Sequence, residues 1–167
     1  MSALHMEHHT CPVCGMDARD SDIRAEHLGI EYRFCMEQCR ENFLARPGLY
    51  IGKQSPARAG RQIIKRRSFT LDRPVIGLQR EALMVELKRL MGVRNISIEG
   101  DRLSIDYNLL EVTAGQVEAA LAQAGAAIGS GWAERLKRGW VRYTEENELD
   151  HLASGQAACC NKPPAKG

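Results

Sequence analysis

The 167-residue chain carries six cysteines, and their spacing is the first sign of chemistry. Cys11 and Cys14 sit in C-P-V-C-G-M, Cys35 and Cys39 in F-C-M-E-Q-C, and Cys159 and Cys160 are adjacent near the C-terminus. After the first pair, Gly15 permits the tight backbone turn that points two sulfurs at one ion. In the second pair, a spacing of four places both sulfurs on one helical face, close to the positive N-terminal end that favours thiolate. Together these four cysteines suit a closed tetrahedral shell around one transition-metal ion, with Zn(II) the first expectation and Cu(I) or Hg(II) the soft alternatives. Two plainer readings stand beside it: four unrelated buried thiols, and an ion that only holds the fold together.

Cys159 and Cys160 follow Ala-Ser-Gly-Gln-Ala-Ala and precede Asn-Lys-Pro-Pro, so they read as a pair on a flexible end. Adjacent cysteines close a disulfide only through a strained ring, whereas two thiolates can grip a soft cation, which makes this pair a second candidate metal site. An incidental reduced pair is the plain alternative. His5, His8 and His9 lie in residues 1–10, which have no period that buries a face, and read as a solvated tail. His27 could replace one thiolate, but its place in an expected hairpin turn makes it an exposed histidine. No nucleophile-base-acid set, phosphate loop or open metal position with a neighbouring carboxylate stands out, so catalysis is not expected.

The elements that must position the first two pairs are short. Alternation over residues 23–34 around His27-Leu28-Gly29 predicts a β-hairpin, and a helix follows over about 36–45, stopped by Pro47-Gly48. Residues 53–67 hold six basic residues and no acidic one, together with Ser, Pro and Gly. They read as a solvated basic linker, with the domain boundary inside it. The expected organisation is a tail over 1–10, a metal-binding domain over 11–52, a linker over 53–65, a second domain over 66–129, a helix over 130–150 and a tail over 151–167.

In the second domain the pattern predicts a strand at about 67–71, a helix at about 79–91, paired strands at 95–99 and 102–107, a helix capped by Thr113 and Gln116, and a last short strand at 126–128. This β-α-β-β-α-β order matches the ferredoxin-like arrangement, two helices on one face of an antiparallel sheet. The chain is therefore expected to be α+β, and the second domain to fold without metal. Ser130 is placed to cap a further helix in which Trp132, Leu136, Trp140 and Tyr143 recur at helical spacing. That stripe reads as core packing on the preceding elements or as a dimer seam, rather than as a ligand-binding face.

With 44% apolar residues, 26% charged residues and a formal charge of +2, the composition is that of ordinary globular proteins. Apolar runs are far short of the roughly 20 residues that span a bilayer, and the N-terminus is histidine-rich rather than basic-then-apolar, so membrane insertion is not expected and the expected compartment is the cytoplasm. A reducing compartment favours metal binding over disulfides for paired cysteines. Aromatics do not interleave the basic run, which gives nucleic-acid binding little support.

C-P-V-C-G-M, then H-L-G-I-E-Y-R-F-C-M-E-Q-C-R-E-N-F and P-G-L-Y, resembles the YHS/TRASH group of treble-clef metal-binding domains over about residues 10–51. Members accompany copper-exporting ATPases and metal-responsive regulators, so the resemblance implies metal sensing or trafficking, with a metal-transporting ATPase or another metal-handling protein as partner. Met36 stands where a serine often follows the third cysteine. Residues 66–129, with L-M-G-V-R-N-I-S-I and V-E-A-A-L-A-Q-A-G, resemble the heavy-metal-associated domain of copper chaperones. That family carries Met-x-Cys-x-x-Cys in its first loop. Here the loop, residues 73–79, has no cysteine, histidine or methionine, so the family's ion site is not expected in this domain. These readings converge on a metal chaperone, buffer or sensor, against the alternative of a zinc-stabilised interaction or nucleic-acid-binding module.

Overall fold

A computed structural model describes residues 9–154, a mixed α+β chain with two small sheets and four α-helices. Strands β1 (Arg24–His27) and β2 (Ile30–Arg33) form the expected hairpin, with Ala25 opposite Tyr32 and His27 opposite Ile30. Its two-residue turn holds Leu28 at φ 53° and Gly29 at φ 75°. Positive φ at both positions matches the right-handed twist of the strands, which is why such turns favour Gly and Asn. Helix α1 (Glu37–Ala45) follows, with Met36 at its N-cap and no side-chain capping bond. A serine there would supply one. A 3-10 turn, Pro47–Leu49, ends the segment.

Behind the hairpin lies a small aromatic core. The Phe43 ring sits 4.9 Å from Tyr32, 5.2 Å from Phe34 and 6.3 Å from Tyr50 between centroids. His27 packs edge-on against Phe43 at 5.9 Å and is half-buried, so it is not the exposed turn histidine that the sequence suggests. The turn needs only Leu28 and Gly29, which leaves His27 in the strand, where alternation turns it inward.

The second sheet is antiparallel in the order β3-β5-β4, from β3 (Ile64–Thr70), β4 (Val93–Glu99) and β5 (Arg102–Asn108). Central β5 buries Leu103, Ile105 and Tyr107 on alternate positions. Helices α2 (Gly77–Arg89) and α3 (Ala114–Gln123) pack on each other, burying Leu83, Leu87, Val117 and Leu121. The capping box read from Thr113 and Gln116 is present, each side chain bonding the other residue's backbone N–H. Residues 126–128, however, do not form a strand. Leu71 and Ile128 make an isolated bridge, flanked by Asp72 N–H to Ala127 O at 2.9 Å and Gly129 N–H to Thr70 O at 2.8 Å. Glycines at 125 and 129 bracket only three residues, too few to extend a ladder.

Helix α4 (Trp132–Ala153) begins after Gly131 with no side-chain cap, rather than at Ser130. Its orientation corrects the expected core packing: Trp132, Leu136, Trp140 and Tyr143 face outward, and the opposite face docks. Docking centres on the buried Glu145, which accepts from Tyr107 Oη at 2.6 Å and Ala114 N–H at 2.8 Å and pairs with Arg67 at 3.2 Å. Leu149 seals the same face. Near its end α4 passes so close to Gly48 that a Cβ there would overlap the Ala153 carbonyl.

Residues 53–65 are likewise not uniformly solvated. Ser55 and Pro56 are buried, and Ala57 N–H bonds Leu49 O at 3.1 Å. The cysteine-bearing half meets the second sheet through polar side chains. Gln38 Nε2 donates to Met91 O at 3.1 Å and Glu111 O at 2.9 Å, while its Oε1 accepts from Met91 N–H at 3.0 Å. Tyr50 Oη donates to Leu110 O at 2.7 Å, and Arg46 pairs with Asp150 at 2.5 Å. No helix among the described residues is long and apolar enough to cross a membrane.

Candidate metal centre

Two loops bring the first four cysteines together. The first is a knuckle: Gly15 N–H bonds Cys11 O at 2.9 Å, Cys11 N–H bonds Met16 O at 2.8 Å, and Gly15 takes φ 76°. A side chain at that angle would be strained, so glycine here is a requirement of the turn. Thr10 bridges Asp17 across the knuckle, and Arg33 reaches from β2 to bond Arg19 O at 3.0 Å. The second loop is the passage from β2 into α1. Phe34 N–H bonds Ile23 O at 2.9 Å and its ring is fully buried, which fixes Cys35 at the mouth of the helix. Cys39 lies in the first turn of α1, on the same face.

The four sulfurs lie within 4.8 Å of one another. Cys14 Sγ is 3.3 Å from Cys35 Sγ, and Cys35 Sγ is 3.7 Å from Cys39 Sγ. Four thiolates at about 2.3 Å from a tetrahedral ion would stand about 3.8 Å apart, so the set is already gathered at nearly that spacing. All four cysteines are free thiols. Cys11 and Cys39 are buried, at 1% and 0% exposure, whereas Cys14 and Cys35 are half-buried. The cluster is therefore shielded at Cys11 and Cys39 and more accessible at Cys14 and Cys35.

Its electrostatics are those of four acids competing for one negative charge. Hydrogen bonds from Cys14 and then Cys39 hold Cys11 far below the usual thiol range. The same bond to Cys11 pushes Cys14 up, and Cys39 is raised by its bonds to Cys11 and Cys14. Burial raises Cys35. Ionising Cys11 makes each of the other three harder to ionise. A divalent or soft monovalent cation would remove the cost of ionising the others.

On the reachable side a cleft of about 580 Å³ opens beside Cys14, walled by Pro12, Tyr32, Tyr50, Arg58 and Arg61. The basic segment thus forms one wall of the space next to the sulfurs. Composition alone gives no signal of this, because Arg58 and Arg61 reach the cleft only through the tertiary turn that buries Ser55 and Pro56. Three further basic residues of the segment are engaged elsewhere: Lys65 with Glu148 at 2.7 Å, Arg66 with Asp106 at 2.7 Å, and Arg67 with Glu145.

Of the other sequence candidates, Cys159, Cys160, His5 and His8 lie outside the described residues. His9 is described, and its carbonyl accepts from Ala18 N–H at 2.7 Å, so it is tied to the knuckle. His27 is not part of the cluster. In the loop before α2, Val75 is buried while Ile76 and Leu78 are exposed. Comparison with known proteins finds no matching family model, no matching curated protein and no matching solved structure.

Proposed function

We propose that this protein binds one heavy-metal ion through Cys11, Cys14, Cys35 and Cys39 and serves as a chaperone, buffer or sensor in metal trafficking or resistance. The observation that carries this reading is the gathering of four thiol sulfurs within 4.8 Å, two of them half-exposed. Buried residues on one side and an open cleft on the other favour an ion that is held and also exchanged. Zn(II) suits a closed four-thiolate shell best, and Cu(I) and Hg(II) suit soft sulfur donors. A shell closed by four thiolates leaves no position for a substrate or an activated water, so the role is carriage or sensing rather than catalysis. The hairpin followed by a helix is in keeping with a treble clef, and the β3-β5-β4 sheet with its bridge at Leu71–Ile128 with a ferredoxin-like domain whose last strand is eroded. A metal-transporting ATPase or similar metal-handling protein in the cytoplasm is the partner such a carrier would serve.

A second reading is a structural ion in an interaction module. It draws on the complete burial of Cys39 and on the contacts that tie α1 to the second sheet. A nucleic-acid partner is disfavoured because Lys65, Arg66 and Arg67 already pair with carboxylates. Transfer to a competing chelator separates the two readings. A carrier gives up its ion within minutes while far-UV circular dichroism stays constant. A structural site releases it only as the signal is lost, and that result would overturn the carrier reading.

A further inference from the structure

We propose that α4 is the surface through which two copies of this chain pair, antiparallel, about a two-fold axis passing near Trp140. Trp132, Leu136, Trp140 and Tyr143 are 74%, 67%, 67% and 63% exposed. At 100° per residue they fall within one narrow stripe, opposite the face that docks through Glu145 and Leu149. About an axis between Trp140 and Val141, Leu136, Trp140 and Tyr143 meet their counterparts while Trp132 falls opposite position 149 of the second copy, so three apolar side chains offer roughly 400 Å² per copy. That is about half of the about 800 Å² per partner of a standard interface, which fits a reversible dimer. A contiguous apolar patch of that size marks an interaction surface.

Two features single out a second copy as the occupant. Arg135 and Glu146 are both exposed and lie on the same edge of the stripe, three helical turns apart and symmetrically placed about Trp140 and Val141. An antiparallel two-fold brings Arg135 of each copy to Glu146 of the other, twice per dimer. The same arrangement opposes the two helix dipoles. The second feature is Gly139, next to Trp140 and with open space where a Cβ would stand. A glycine inside an exposed helix costs about 1 kcal/mol relative to alanine, and here it leaves a recess beside the stripe that an indole ring from the second copy fills. An anionic membrane would attract Arg135 but repel Glu146 on the same rim, so the charge pattern fits a second copy better than a bilayer.

The test is sedimentation velocity of the full chain under reducing conditions over a wide concentration range. A reversible dimer is expected. Trp140→Glu should give a monomer with unchanged circular dichroism and unchanged metal content. Arg135→Glu and Glu146→Arg should each weaken the dimer about tenfold, and combining the two reversals should restore it. A chain that is monomeric at every concentration overturns the proposal, as does a dimer indifferent to Trp140→Glu. Capture of a monomer by phosphatidylserine vesicles would overturn it too, by making the stripe a membrane-facing surface.

Discussion

Cys35 stands between Cys14 at 3.3 Å and Cys39 at 3.7 Å, so its sulfur joins the knuckle to the helix. Cys35→Ser replaces a thiolate donor by a hydroxyl and should weaken metal binding more than about a hundredfold, beyond the loss usual for an outer-shell partner. Competition against a chromophoric chelator measures it. Proton release is a second expectation at this scale. Cys14, Cys35 and Cys39 all sit above their ordinary thiol values, so a metal ion must displace protons to bind them. The number of protons released per ion at pH 7 should be clearly above zero, and affinity should fall as pH falls. Calorimetry in buffers of different ionisation enthalpy gives that number, and a value near zero would mean the thiols are not the ligands. The four residues were legible because Cys-x2-Cys before glycine and Cys-x3-Cys at a helix start each aim two sulfurs one way. Their unequal exposure was not legible, since it depends on tertiary packing, including the segment that brings Arg58 and Arg61 to the cleft beside Cys14.

Two elements carry strain or crowding that a substitution can report. Leu28 holds φ 53° in the hairpin turn while its side chain is 86% exposed, so it meets the left-handed penalty without compensating burial. Leu28→Asn should stabilise the protein by about 0.5–1 kcal/mol, seen as a higher thermal midpoint. Gly48→Ala should act in the opposite sense, because the new Cβ meets the Ala153 backbone. A loss of at least about 2 kcal/mol in denaturant titration is expected, since the end of α4 must move. Most elements were legible from period and caps: the hairpin, α1, α2, β4, β5, and α3 with its capping box. Of the two sequence readings of the α4 stripe, core packing on the preceding elements fails for an identifiable reason, while the dimer seam stays open. The docked face of α4 uses Glu145, with Tyr107, Arg67 and the Ala114 N–H as partners, so the polar side faces in and the apolar side faces out. Residues 126–128, a short apolar run completing the β-α-β-β-α-β order, suggest a strand whether or not the neighbouring glycines allow one.

Across the whole molecule, the metal-site half and the second sheet share hydrogen bonds that no local pattern announces, since their partners are backbone groups more than fifty residues away. Gln38→Leu removes three of them and strands Met91 N–H, so a loss of about 2–3 kcal/mol in global stability is expected by urea titration. The coupling also means that emptying the cysteine site should lower the thermal midpoint of the second half, in contrast to the independent folding suggested by sequence. The most direct measurement is native mass spectrometry of the full chain, purified under reducing conditions after growth with zinc and copper. It should show one ion per chain, and none when Cys11, Cys14, Cys35 and Cys39 are all replaced by serine. A wild-type chain without metal, or a four-serine chain that keeps the same ion, would contradict a metal centre built from these cysteines.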